Sequence, residues 1–174
     1  MYTAAATQAL LKNQGVDSLI CSGEMFGYVN DVKRKQGAMI GFTSSRGESA
    51  HFWVETDDRI YDLAFSFLAI GGKFKAAPIP PLAWKHKNEL PNCIIYKAHT
   101  RSLKVEATNN PDKLRIFVED CLTIFNSSET RFKTLPLILY NRKVLDKQAN
   151  SDDIWAQAVV WYDKNPQHMR PIQA

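Results

Sequence analysis

Two side chains in this sequence are spaced for proton transfer: His51 and Asp62. They lie in two short runs, His51-Phe52-Trp53-Val54-Glu55 and Arg59 to Phe65, with polar Thr56-Asp57-Asp58 between them. Aromatic and β-branched arms around a polar middle predict a β-hairpin. Alternate residues of a strand share a face, so His51, Trp53 and Glu55 point one way and Phe52 and Val54 the other. A two-residue turn at Thr56-Asp57 sets His51 opposite Asp62. One at Asp57-Asp58 sets Trp53 opposite Asp62 and His51 one diagonal step away. Either way the two share a face, with Cβ atoms about 5 Å or about 7–8 Å apart. A carboxylate at that range holds one imidazole nitrogen, fixes the tautomer and leaves the other nitrogen to act as a base. A three-residue turn would put Asp62 on the opposite face and end the pairing.

The strings His51-Phe52-Trp53-Val54-Glu55 and Tyr61-Asp62-Leu63 resemble the His-Ala-Trp-Val-Glu and Tyr-Asp-Leu pattern of transglutaminase-like cysteine enzymes. The same layout recurs in arylamine N-acetyltransferases and lasso-peptide maturation proteases. The resemblance covers roughly residues 1 to 65. It implies a papain-like core in which His51 is the base of a Cys–His–Asp triad, Asp62 orients it, and Trp53 packs beside the site and borders the substrate. The implied chemistry is amide hydrolysis or acyl transfer on a peptide, an amide or an acyl thioester.

The nucleophile is the open question. Cys21-Ser22-Gly23 resembles the Asp-Cys-Ser-Gly motif of bacterial cell-wall peptidases of the same fold. Those cysteines begin a helix, whose amides and dipole favour the thiolate. Cys21 lacks the preceding Asp and ends an apolar run that reads as a strand. In a second register Tyr2 to Asn13 is the triad helix, and Gly15-Val16-Asp17-Ser18-Leu19 resembles the Gly-Ile-Pro-Ala-Arg segment after it. The family cysteine then falls at or just before Met1, where this chain reads Met1-Tyr2-Thr3. Three readings stay open. The nucleophile stands upstream of Met1; or the scaffold is inactive and keeps the pair in a cleft that binds a peptide or partner; or Cys21 is the nucleophile. Thr3 is a poor substitute, since a hydroxyl needs stronger activation than a thiol. Cys93 and Cys121 read as packing residues.

The elements that must position these groups follow from pattern. A helix is predicted over Tyr2 to Asn13 with Gly15 as its C-terminal cap. Leu19 to Cys21 reads as a buried strand, Gly23 as a bulge or close approach, and Met25 to Val29 as further extended chain. Asn30 to Gln36 reads as a connection, Ala38 to Thr43 as a strand and Ser44 to Ser49 as a loop. Ala77 to Pro81, with three prolines, is an irregular connection. Trp84 beyond it sits in a satellite core or borders a cleft, the core being favoured. Strands are expected at Cys93 to Tyr96 and Leu103 to Ala107. Asn110 caps a helix opened by Pro111, with Leu114, Phe117, Cys121, Leu122 and Phe125 along one face. A last helix spans Asp152 to Tyr162, with Ile154, Ala158 and Trp161 on one side, and the tail after Asn165 is loose.

The 174 residues suit one domain, 1–174, with one core. The expected class is α+β: a papain-like core with an N-terminal helix on a mostly antiparallel sheet, covered by C-terminal helices. A net charge of +4 is mild, and the clusters Lys33-Arg34-Lys35 and Lys85-His86-Lys87 read as solvated surface. No basic stripe with interleaved aromatics suggests nucleic acid. No run reaches the roughly 18 apolar residues of a membrane span, and no secretion signal is visible. Three cysteines with no C-x-x-C pair argue against a zinc site or a disulfide framework and for thiols in a reducing cytoplasm. Without a glycine-rich phosphate loop or His-x-x-x-His, no metal, nucleotide or other cofactor is expected.

Overall fold

A computed structural model describes residues 1–31, 36–43, 51–70, 76–102, 110–127 and 139–168. Helix α1 spans Tyr2–Asn13, as its alanine-rich sequence predicts. Gly15 ends it with φ of +73°. Val16 N–H donates to the Leu11 carbonyl at 2.9 Å and Gly15 N–H to that of Lys12 at 3.0 Å. This Schellman closure favours glycine, because the left-handed backbone crowds a Cβ.

The two extended stretches expected between Leu19 and Val29 are one long strand, β1 (Leu19–Asp31). It pairs antiparallel with β6 (Ile94–Ser102) through Ile20 to Gly27. The other edge is shared in succession. β3 (His51–Glu55) takes Leu19 to Gly23, and β2 (Gln36–Phe42) takes Met25 to Asp31. The bulge expected at Gly23 is present: the β1–β6 register shifts between Ser22 and Gly23. A Cβ at Gly23 would collide with the Lys97 carbonyl oxygen and lie 2.9 Å from His99 N.

The hairpin continues into β4 (Arg59–Asp62), with Val54 opposite Tyr61 and Glu55 opposite Ile60. Thr56 N–H donates to the Arg59 carbonyl at 3.0 Å, and Thr56 Oγ1 accepts from Arg59 N–H at 3.1 Å. The turn is therefore the two-residue Asp57-Asp58. β4 stops at Asp62 instead of running to Phe65. Asp62 Oδ1 accepts from Ala64 N–H at 3.1 Å, a local turn that competes with the ladder, and a short 3-10 helix follows at Phe65–Ala69.

Two strands that the pattern does not announce complete the sheet: β5 (Leu82–Lys85), antiparallel to β4, and β7 (Leu139–Tyr140), parallel to β5. Trp84 is fully buried in the principal core and stacks on Tyr140 at 6.1 Å. It neither borders a cleft nor sits in a satellite. β6 extends well past Tyr96. The expected strand at Leu103 to Ala107, the loop at Ser44 to Ser49, the cluster Lys33-Arg34-Lys35 and the Phe125 side chain lie outside the described residues.

Helix α2 (Pro111–Ser127) starts as expected, Asn110 Oδ1 accepting from Lys113 N–H at 3.0 Å. Its contact stripe is narrower than the predicted face. Leu114 and Val118 pack with Ala4, Ala5, Ile20 and Val54, while Phe117 is 38% exposed and Cys121 only half-buried. Helix α3 (Arg142–Ala149), unannounced by its polar sequence, is capped by Asn141, whose Oδ1 accepts from Val144 N–H at 2.9 Å. Helix α4 (Ile154–Lys164) buries Trp155, Ala156 and Val159 and leaves Ile154 and Trp161 exposed, the reverse of the expected face. Trp155 packs on Phe65 and Tyr140, and its indole donates to the Tyr28 carbonyl at 3.2 Å. Beyond Asn165 the chain makes one more 3-10 turn, Pro166–His168, with His168 against Trp161.

The result is α+β with a mostly antiparallel sheet. Phe52, Val54 and Tyr61 face α1 and α2. Cys21, Trp53 and Ile60 face the other way and join, through Leu90 and Tyr96, the principal core that holds α3 and α4. No helix among the described residues is long and apolar enough to cross a membrane.

Gly23→Ala should lower stability by about 2 kcal/mol, as forced overpacking typically does. Gly15→Ala, where a Cβ meets nothing within 4 Å but φ is positive, should cost about 1 kcal/mol. Urea midpoints of the two variants check the order.

Candidate active site

The turn decides the geometry. With Val54 opposite Tyr61, the register runs on to place Trp53 opposite Asp62 and His51 on the diagonal. His51 Nε2 lies 2.6 Å from Asp62 Oδ2. The two residues are 5% and 1% exposed, so little water screens the contact. Asp62 is held by three donors. The Tyr96 hydroxyl reaches Oδ2 at 2.9 Å, the same oxygen that His51 uses, and Ala64 N–H holds Oδ1. Against this carboxylate Nε2 carries the proton, and in the neutral ring Nδ1 keeps the basic lone pair.

The ring's plane is fixed by packing. Phe42 stacks on His51 with centroids 4.8 Å apart and planes 3° off parallel, and Trp53 lies at 6.2 Å and 19°. Phe42 ends β2 and His51 begins β3, so the imidazole sits at the seam where β1 exchanges one edge partner for the other. The body of α1 packs on the opposite face of β3. Met1, the residue that precedes it, still feels the pair: burial lowers the Met1 amino group's pKa, and the charge of Asp62 works against that.

Trp53 is completely enclosed. Its indole donates to Glu55 Oε1 at 2.9 Å and its ring tilts on Tyr96 at 5.0 Å. It props the imidazole from within. Cys21 stands opposite Trp53 on β1, while Gly23 is the residue opposite His51. The Cys21 thiol is wholly buried and pushed up to about 12, first by burial and then by the negative charge of Glu55. The structure therefore brings His51, Asp62 and Trp53 together and turns Cys21 toward Glu55. Cys93 is buried in the principal core and also pushed up to about 12, mainly by burial.

Glu55 and Tyr96 are the partners that reading the sequence missed. Burial alone would raise the Glu55 pKa; the Trp53 indole, Arg101 and Lys87 outweigh it and hold it below the usual value. Lys87 Nζ and Arg101 Nε approach Oε2 at 3.4 and 3.5 Å. Lys87 is thus engaged and not simply solvated. These residues and Tyr96 line a cavity of about 510 Å³. Glu55 could have been found from its place in the strand alternation. Tyr96 carries no local signal, because β1 and β3 bring it to Asp62 across the sheet. Among the described residues, no group of three or more His, Cys, Asp or Glu side chains is arranged to hold a metal ion.

No protein-family model, curated protein or solved structure matches this chain.

The pKa of Glu55 is lower folded than unfolded, so its charge adds stability above the ordinary 4.5, and that part is lost as pH falls through the folded value. Glu55→Gln should therefore lower the urea midpoint by a constant amount near neutral pH, with the gap closing in acid below 4.5. Cys21 and Cys93 should resist a disulfide-exchange reagent at mildly alkaline pH and react at once in denaturant; fast native reaction at Cys21 would contradict the burial described.

Proposed function

We propose that this chain is a transglutaminase-like, papain-type scaffold whose His51–Asp62 pair handles the proton in amide hydrolysis or acyl transfer. The observation that supports it is the 2.6 Å Nε2–Oδ2 bond within the very strings that resemble that family. Asp62 keeps the proton on Nε2. Nδ1 takes the nucleophile's proton as the nucleophile bonds to the carbonyl carbon. The imidazolium then returns it to the leaving amine, alcohol or thiol, whose bond to carbon breaks. Water attacks the acyl intermediate in hydrolysis; another acceptor does so in transfer. The substrate is a peptide, an amide or an acyl thioester. A nucleophile offered from the N-terminal end of α1, at or just before Met1, is the placement that the resemblance implies. A helix start also favours a thiolate there.

A second reading, a non-catalytic peptide- or protein-binding module on the same scaffold, is favoured by Cys21, the one cysteine on this part of the sheet, whose thiol faces Glu55.

Hydrolysis of p-nitrophenyl acetate separates the two, since an activated ester needs no dedicated pocket. For the catalytic reading, His51→Ala should return the rate to that of buffer and Asp62→Asn should slow it about 100-fold or more, with Cys21→Ser unchanged. A parent chain no faster than His51→Ala would sink catalysis by residues 1–174 alone and leave binding.

A further inference from the structure

An orienting carboxylate must itself be held by something other than the group it orients. Asp62 can swing about the bond to its carboxyl group, and each oxygen needs its own anchor. Ala64 N–H anchors Oδ1, but it belongs to the turn that directly follows Asp62. On Oδ2 the contacts are His51 Nε2 and the Tyr96 hydroxyl. Tyr96 comes from β6, with β1 and β3 between it and β4. Its ring is seated against Trp53 at 5.0 Å, so its hydroxyl is placed independently of the imidazole. We propose that Tyr96 is the positioning residue of the pair: its hydroxyl fixes Oδ2 from a strand that is not a neighbour of β4, so that Asp62 holds His51 in one orientation and does not move with it.

This deepens the catalytic reading and rests on it for its purpose, though the geometry stands by itself. Tyr96 remains a donor at neutral pH, because burial and the charge of Asp62 raise its pKa well above the usual phenol value. The other ionisable groups within reach are the Met1 amino group, close enough to feel Asp62, and Glu55, two positions beyond Trp53 on the same face of β3. Neither reaches Oδ2 with a hydrogen bond.

The test reads the bond and needs no substrate. In protein labelled with ¹⁵N at histidine, the solvent-exchange rate of the His51 Nε2 proton is measured by NMR in the parent chain, in Tyr96→Phe and in Asp62→Asn. Phe keeps the ring on Trp53 and removes only the hydroxyl. Asp62→Asn, which removes the charged acceptor, sets the upper end of the scale. Tyr96→Phe should exchange at least about tenfold faster, the factor that about 1.4 kcal/mol of lost hold gives. Backbone amides of β1 and β6 should stay within about twofold of the parent. A Nε2 proton exchanging within twofold of the parent would overturn the proposal. So would equal acceleration of the β6 amides, which would make Tyr96 a general support of the sheet. A chain that hydrolyses no ester can still pass this test, so failure of the positioning role and failure of catalysis are told apart.

Discussion

Backbone N–H and C=O groups taken from water must find partners, and β1 is where that demand is heaviest. It runs through both clusters that cover the two faces of the sheet, so no part of its length is left to solvent alone. β6 satisfies one edge. On the other, β3 and β2 take over from one another between Gly23 and Met25. Most of the remaining architecture hangs on this arrangement. The hairpin is attached through β3, β5 and β7 are attached through the hairpin, and the helices fill the two faces. Gly23 has to be glycine because β6 bulges against it where the edge partners change.

The candidate site is a by-product of that handover. A strand that begins beside the end of another leaves a first residue flanked by the previous strand's last aromatic. His51 thus lies flat on Phe42, a contact that neither residue's local sequence announces. Inside the same face, a line of groups runs from Asp62 through Tyr96 and Trp53 to Glu55. A nearly buried carboxylate such as Glu55 is costly unless paired. The indole N–H and two half-exposed cations supply the pairing, and Cys21 is left beside a negative charge. Burial and the ionised Glu55 keep Cys21 protonated, against the pull of Arg101 and Lys87, the cations that hold Glu55 ionised.

Some of this was legible from residue order alone. Helix α1 and its glycine closure, the Asn110 cap, the bulge at Gly23 and a two-residue hairpin turn all rest on short-range chemistry, and each stands as read. The pairing of His51 with Asp62 followed from the turn by arithmetic. What failed depends on contacts distant in sequence. β5 and β7 are too short to show a period and exist because Trp84 and Tyr140 share a core. Trp155 and Trp161 are both plausible core residues of α4, and contacts distant in sequence, with Phe65, Tyr140 and the Tyr28 carbonyl, choose Trp155. β4 ends early because Asp62 bonds to the backbone two residues on, so the side chain that serves the site also terminates the strand. Tyr96 was invisible for the same reason as β5: its partner is 34 residues away.

The Asp57-Asp58 turn carries a consequence for how such a chain can diverge. His51 and Asp62 are eleven positions apart, an odd spacing. Losing or gaining one residue in the turn rotates all of β4 by half a period. That turns Ile60 and Asp62 toward α1 and α2 and puts Tyr61 in their place. Losing or gaining two restores every side chain to its face. Insertions here should therefore be tolerated by parity and not by length. A descendant that keeps both residues at an even spacing has kept the letters of the site without its geometry.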